Sequence, residues 1–325
     1  MKILVTGGSG FIGKILVEKL LQKGHKITVI VRNVKKIKEL KDEVKVIVGD
    51  IRDLGIIKQA VKSQDIVYHL AALIHPAGVS KKEYFDLNSE STGRLYKESS
   101  KAGVKHFIYI SSVACYGVTK GGVLVKEDTK PKPIDIYGKS KLKGEERIHE
   151  NKSIPFTIFR LGKIYGPGDN SAPWVTLVGL VKRRLFMMIS NGKSTIMPLY
   201  IDDAVTGLIS CLNNKKTFYK TYNLVGNEIV TKKEFIKVMA KGLNVKPRKG
   251  YLPKSLVVSG ATLLEPVLKL FQKEPTISRK KLRFFLASEL YDTSLAKKDL
   301  NFNPKVNLEE GMRNTVSWMK KGGLI

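Results

Sequence analysis

Thr6-Gly7-Gly8-Ser9-Gly10-Phe11-Ile12-Gly13 is the stretch whose reading decides the fold. Gly7, Gly10 and Gly13 recur at three-residue spacing. The apolar run Ile3–Thr6 precedes them, and a helical pattern (Ile12, Ile15, Leu16, Leu20) follows. In a dinucleotide site the first glycine permits the tight turn. The second lets a pyrophosphate approach the backbone, and the third lets the helix pack close to the sheet. The helix start then offers unpaired N–H groups and a partial positive charge to the phosphate. A glycine triplet alone also fits a plain strand–helix turn. Here the strand before it and the helix after it supply the context that the phosphate reading requires.

Working outward, apolar β-branched runs at Ile27–Val31, Val44–Val48, Ile66–His69, Phe107–Ile110 and Phe156–Phe159 read as strands. Helical patterns at Lys35–Leu40, Leu54–Lys62, Ser89–Ala102 and Leu142–Asn151 alternate with them. This alternation predicts an α/β fold, a Rossmann-type doubly wound parallel sheet covered on both faces. Beyond Tyr165 the regularity breaks. Gly166-Pro167-Gly168 reads as a turn, Trp174–Arg184 and Thr231–Leu243 as helices, and Ile196–Ile201 and Thr221–Val225 as strands. Residues 252–285 read as helical with several prolines. The expected organisation is an NAD(P)-binding domain over 1–165, with 198–225 returning to it. A smaller substrate-binding lobe takes 166–197 and 226–325.

Two cysteines in 325 residues, Cys115 and Cys211, make neither a disulfide framework nor a metal cluster. The N-terminus runs directly into the glycine loop and leaves no room for a signal peptide. Together these predict a cytoplasmic protein with no metal site. The formal charge of +29 raises the question of an anionic partner. The basic residues are mostly lysines spread along the whole chain. They form no compact arm and no nucleic-acid module, so no specific nucleic-acid partner is expected. Residues 255–271 are notably apolar. They read first as a packed helix and second as an interfacial one, giving weak peripheral membrane contact through 255–281.

Three further groups carry chemistry. Arg32 follows the second strand, where an acidic residue would bond both ribose hydroxyls of NAD and an arginine can neutralise the 2′-phosphate of NADP. The cofactor is therefore read as NAD(P), with NADP favoured, and Asp50-Ile51 after the third strand as flanking the adenine. Tyr137-Gly138-Lys139-Ser140-Lys141 puts a phenol and an ammonium on one helix face. A tyrosine with a pKa of about 10 becomes a usable base when an ammonium stabilises its phenolate. Ser111-Ser112 ends the fifth strand, where a hydroxyl can hold a substrate oxygen.

In this combination the sequence resembles the extended short-chain dehydrogenase/reductase family, the NAD-dependent epimerase/dehydratases. The glycine loop, His69-Leu70-Ala71-Ala72, the segment Gly103–Phe107 leading to Ser111-Ser112 and Tyr116-Gly117, and Tyr137 with Lys141 carry the likeness. Arg160, Ile164–Gly168 and Tyr200–Val205 extend it. The resemblance implies that Ser112 binds substrate, Tyr137 is the acid/base, and Lys141 holds the nicotinamide ribose. It implies that Gly7, Gly10, Phe11, Ile12, Gly13, Leu70, Ala71 and Ala72 line the cofactor. Asn88 with Thr92 resembles the helix block that supports the site, with Ser91 where a glycine is usual. Lys163 stands where sugar epimerases usually carry an asparagine. Phe159–Ile164 looks more like the dihydroflavonol reductase and 3β-hydroxysteroid dehydrogenase branch, while Asp202-Asp203 is shared with sugar epimerases. Arg183, Arg184 and Lys193 are candidates to meet a diphosphate. The implied activity is reversible hydride transfer at a secondary alcohol or ketone of a nucleotide sugar or a bulky apolar substrate, in a homodimer. The alternative is a non-catalytic NADP-binding sensor or scaffold.

Overall fold

The structure is a computed structural model and describes residues 1–40, 42–74, 79–118, 122–260 and 286–325. Its centre is a seven-stranded parallel sheet. In chain order the strands are β1 (Lys2–Thr6), β2 (Lys26–Val31), β3 (Lys45–Val48), β4 (Ile66–His69), β5 (His106–Ser112) and β6 (Phe156–Leu161). After β6 come three pairings of two-residue strands: β7 (Ile164–Tyr165) with β10 (Leu199–Tyr200), β8 (Met188–Ile189) with β13 (Tyr251–Leu252), and β9 (Thr195–Ile196) with β12 (Val230–Thr231). The seventh strand of the sheet is β11 (Lys220–Leu224). The spatial order is β3-β2-β1-β4-β5-β6-β11. Strand order reverses between β1 and β4, so a crevice opens beyond their carboxyl ends, where ligands of open α/β sheets bind.

Successive side chains on each strand feed two different cores, as the period of two requires. Ile3, Val5, Val29, Tyr68, Ile108 and Phe159 enter one core; Leu4, Ile30, Val67, Phe107, Tyr109 and Ile158 enter the other. The first core packs α1 (Phe11–Gln22) through Leu16, Val17 and Leu20. The second packs α2 (Leu54–Val61) through Ile57 and Ala60. Past α3 (Lys81–Phe85), the second core also takes Leu95 and Tyr96 of α4 (Ser91–Lys101) and Ile148 of α5 (Ile136–His149). The doubly wound prediction therefore holds. Four later helices, α6 (Ala172–Lys182), α7 (Ile201–Ile209), α8 (Lys232–Gly242) and α9 (Ser294–Leu300), join the first core, and α10 (Leu308–Lys321) closes the chain.

Several local expectations change. Residues 35–40 form a short tight 3₁₀ segment with a non-helical break at Ile37, not an α-helix. The strand expected over 196–201 is interrupted at Pro198, whose ring offers no N–H to a ladder, and Ile201 opens α7 instead. The helix expected from Leu142 begins six residues earlier, because Asp135 accepts the Gly138 N–H at 2.7 Å and caps it. Of the helical reading over 252–285, residues 254–260 are helical and 261–285 lie outside the described residues, as does most of the interfacial segment. Among the described residues no helix is long and apolar enough to cross a membrane.

Candidate active site

β1 ends at Thr6 and the chain turns through Gly7, whose φ of +73° lies in the left-handed region. A Cβ there would meet the Ala71 nitrogen at 2.7 Å and the Leu70 carbonyl carbon at 2.8 Å. The loop thus lies against the Leu70-Ala71-Ala72 segment that leaves β4. A Cβ on Gly13 would fall 2.1 Å from the Gly7 carbonyl oxygen, so α1 meets the loop at backbone contact. Gly10 donates to the Gly7 carbonyl at 2.9 Å and opens α1. No side chain caps that helix and its first turn holds no acidic residue, which leaves its positive end to an anion. The Phe11 ring packs near Gly168 of the Gly166-Pro167-Gly168 turn, and Ile12 is partly buried in the first core.

At the sheet's far side Arg32 is exposed after β2. Asp50, after β3, is clasped by Arg52, whose Nε donates at 3.0 Å, Nη2 at 2.8 Å and backbone N–H at 2.9 Å. The Arg52 hydrogen bond holds the Asp50 carboxyl below its ordinary value, and Arg32 adds attraction. Ile51 between them is buried. Arg32, Asp50 and Arg52 therefore converge. Sequence reasoning missed Arg52, although an Asp two residues before an Arg is the pattern of an Asx turn.

The candidate catalytic trio, Ser112, Tyr137 and Lys141, comes from two elements. Asp135 fixes the start of α5, which puts Tyr137 in the first turn and Lys141 one turn later on the same side. Ser112, the last residue of β5, caps the tight turn Val113–Tyr116 by accepting the Ala114 N–H at 3.2 Å. The Tyr137 phenol hydrogen-bonds to the Ser112 side chain. Burial is the largest influence on that phenol and pushes its pKa up; the Ser112 bond pulls the other way. Burial outweighs the lowering of Tyr137 that spacing leads one to expect from the ammonium. Lys141 instead lies with Nζ 4.1 Å above the Tyr109 ring. It is 1% exposed, and its Nζ makes no hydrogen bond among the described residues. Burial pulls its pKa down to about 7. A buried ammonium without a hydrogen-bond acceptor is costly unless a ligand provides one. This orphaned group and the glycine cradle both fit a dinucleotide with ribose hydroxyls.

The NAD-dependent epimerase/dehydratase family model matches residues 3–224. The chain belongs to that family. The chain is 25% identical over 336 residues to the decarboxylating sterol-4-alpha-carboxylate 3-dehydrogenase of Schizosaccharomyces pombe, covering 98% of each chain. It is 27% identical over 322 residues to the N-acetyl-alpha-D-glucosaminyl-diphospho-ditrans,octacis-undecaprenol 4-epimerase of Escherichia coli O157:H7, covering 97% of this chain and 94% of that one. The solved UDP-glucuronic acid 4-epimerase of Bacillus cereus, in complex with NAD, superposes with a TM-score of 0.78 at 27% identity, covering 99% and 97%. These relatives are enzymes, and nothing supports the alternative of a non-catalytic scaffold.

A buried hydrogen-bond chain braces the candidate trio. The Ala71 N–H donates to Thr6 Oγ1 at 3.3 Å, Thr6 Oγ1 contacts His69 Nδ1 at 2.7 Å, and His69 Nε2 contacts Thr92 Oγ1 at 2.9 Å. Thr92 donates to the Asn88 carbonyl at 3.0 Å. Burial holds His69 well below its ordinary pKa. The donor order then assigns the ring proton to Nε2. Asn88 lies in the π-helical turn Asp86–Glu90, between α3 and α4. It accepts the Leu73 N–H at 2.8 Å and donates to Ser140 Oγ at 2.9 Å. Ser140 in turn donates to the Tyr137 carbonyl at 2.8 Å. The sequence named His69 and Ser140 only within matching segments and gave them no role, since those roles depend on partners far along the chain.

Lys163 is exposed two residues past the end of β6, the strand that pairs with β5 at Ser112. Its charge acts on Glu289, which is buried. Burial raises the Glu289 carboxyl, and Lys163 and Lys232 oppose that rise. Lys232, also buried, donates to the Ala287 carbonyl at 2.7 Å. Arg183, Arg184 and Lys193 are exposed.

Proposed function

We propose that this protein catalyses reversible hydride transfer at a secondary alcohol of a polar, sugar-like substrate, with NAD or NADP held on the glycine loop. The observation that carries the reading is Lys141, buried without a hydrogen-bond partner one helical turn from a Tyr137 that is bonded to Ser112. Bound nicotinamide supplies the hydride acceptor and, in the reverse direction, the donor. Ser112 orients the substrate oxygen. Tyr137 Oη takes the alcohol proton as the carbon loses its hydride, leaving a ketone, and returns that proton on reduction. Lys141 bonds the ribose hydroxyls and steadies the phenolate. Whether the ketone leaves or is reduced again on the other face distinguishes dehydrogenation from epimerisation.

Residues 1–165 with 198–225 hold the cofactor in this reading; 166–197 and 226–325 hold the substrate. The charges of Lys163, Lys232 and Glu289 support a polar substrate, because a wholly apolar ring system laid beside them would strip water from charged groups and offer no hydrogen bonds in return. Arg32 and Arg52 support binding of a 2′-phosphate, hence NADP. A homodimer and peripheral lipid contact through 255–281 complete the proposal; light scattering and vesicle co-sedimentation test them. The deciding experiment follows nicotinamide absorbance against a panel of nucleotide sugars, lipid-linked diphosphosugars and apolar alcohols. Turnover of a sugar is expected. Turnover of apolar alcohols alone would overturn the substrate class.

A further inference from the structure

Residues 170–201 and 235–264 together contain ten lysines and arginines and no aspartate or glutamate. The fold brings these two stretches side by side. β8 pairs with β13 in the register Tyr251↔Met188 and Leu252↔Ile189, and the Ser190 N–H donates to the Leu252 carbonyl at 2.9 Å. α6 leads the first stretch into this pairing and ends at Lys182. Beyond it the Leu185 N–H reaches back to the Leu180 carbonyl at 2.8 Å, with Arg184 at a φ of +59°. This is a Schellman stop, whose left-handed position usually takes glycine and whose two flanking apolar residues usually seal against each other. Here an arginine holds that position and both leucines stay open: Leu185 is 55% exposed and Leu180 37%. Across the pairing Tyr251 is 63% exposed, and Leu256, just after β13, is 62% exposed.

Cations flank these apolar groups. Lys182, Arg183 and Arg184 are exposed at the end of α6, and Lys246, Arg248, Lys249 and Lys254 are exposed on either side of β13. Among the described residues none of the seven forms an ion pair. Elsewhere basic groups do find carboxylates, as Arg52 finds Asp50, Arg94 finds Asp86 and Lys105 finds Asp65. A two-fold contact with a second copy through this face would set its cations against their own duplicates. A nucleic acid would take up the charges but offer the leucines no apolar phase. An anionic bilayer satisfies both, since its headgroups attract the cations and its interface takes in the apolar side chains.

We propose that the face built from the end of α6 and the β8–β13 pairing docks on an anionic lipid bilayer, with Leu180, Leu185 and Tyr251 entering the interface and the seven cations meeting headgroups. It adds a second surface to the lipid contact proposed for 255–281 and rests on that reading only in sharing its membrane, so every variant of the test lies outside that stretch. The full chain is sedimented with vesicles of about two parts phosphatidylcholine to one part phosphatidylserine. It should bind these and not pure phosphatidylcholine vesicles. Arg248→Gln, Lys249→Gln and Lys254→Gln together should weaken binding about 100-fold, from roughly five-fold per basic residue at an anionic surface. Lys58→Gln, Lys62→Gln and Lys97→Gln remove the same charge from exposed positions on the α2 and α4 side of the sheet. That control should weaken binding by less than about five-fold, since charges farther from the surface than a Debye length are screened. Leu185→Ser with Tyr251→Ser should cost roughly 10-fold and abolish the binding that survives at about 0.5 M salt. Equal losses in the two triple variants, or no binding to the phosphatidylserine vesicles, would overturn the proposal. Tighter binding to duplex DNA than to vesicles, unmoved by Leu185→Ser with Tyr251→Ser, would overturn it in favour of a nucleic acid. Wild-type lipid binding in the Arg248, Lys249 and Lys254 variant would overturn this surface and leave the contact through 255–281 standing.

Discussion

Gly13→Ala tests whether the loop after β1 is a phosphate cradle. The added Cβ would sit 2.1 Å from the Gly7 carbonyl oxygen, 2.8 Å from the Gly8 Cα and 2.9 Å from the Gly7 carbonyl carbon. All three are backbone atoms, so no side chain can swing away. Reaching ordinary contact at 3.4 Å requires the start of α1 and the loop to part by about 1.3 Å. That movement strains the 2.9 Å bond from the Gly10 N–H to the Gly7 carbonyl. Overpacking of this kind costs about 1–3 kcal/mol of stability. It also displaces the N–H groups that would meet the pyrophosphate. Each charge-assisted bond lost costs about 1.5–3 kcal/mol, so one such bond weakens NAD binding by roughly 10- to 100-fold. Calorimetric titration with NAD and thermal melts read both effects. Gly179→Ala is the control: a Cβ there meets nothing within 4 Å, so binding should be unchanged. Wild-type NAD affinity in Gly13→Ala would refute the cradle.

Arg32→Asp should weaken NADP far more than NAD, because the new carboxylate repels a 2′-phosphate and can accept from a 2′-hydroxyl; equal losses for the two cofactors would remove the 2′-phosphate role. Lys141 gives a pH signature in stability. Its folded pKa is about 7 against 10.5 ordinarily, so between those values the unfolded chain binds more protons. The cost of burying the charge is therefore relieved as pH rises through that window. Denaturant midpoints of wild type minus Lys141→Met should rise from pH 7 towards pH 10, as long as no ligand is added, and a flat difference would show that Lys141 is not buried as described.

The parts legible in the sequence were those encoded locally. The Gly7, Gly10 and Gly13 spacing, the alternating apolar runs and the Tyr137–Lys141 interval each state their geometry within a few residues. The parallel sheet covered on both faces follows from that alternation, whereas the order of its strands comes from the structure. What stayed hidden depends on partners far away in the chain. His69 becomes a relay only because Thr6 and Thr92 flank it in space. Glu145 finds its ion pair because β6 delivers Arg160 to it. The wide turn holding Asn88 has no propensity signal, since it is set by the bonds to Leu73 and Ser140. Spacing also overstated one effect. It placed the ammonium near the phenol but did not reveal how strongly burial would act on both.

The central claim is that Tyr137 moves the proton while hydride passes at a cofactor held by other residues. Tyr137→Phe removes only the phenol oxygen and keeps the ring. With a substrate found in the panel, the account expects turnover to fall by at least about 100-fold, the usual contribution of a positioned acid or base. The NAD dissociation constant, measured on the same protein, should change little. A Tyr137→Phe variant that turns over at the wild-type rate would contradict the account.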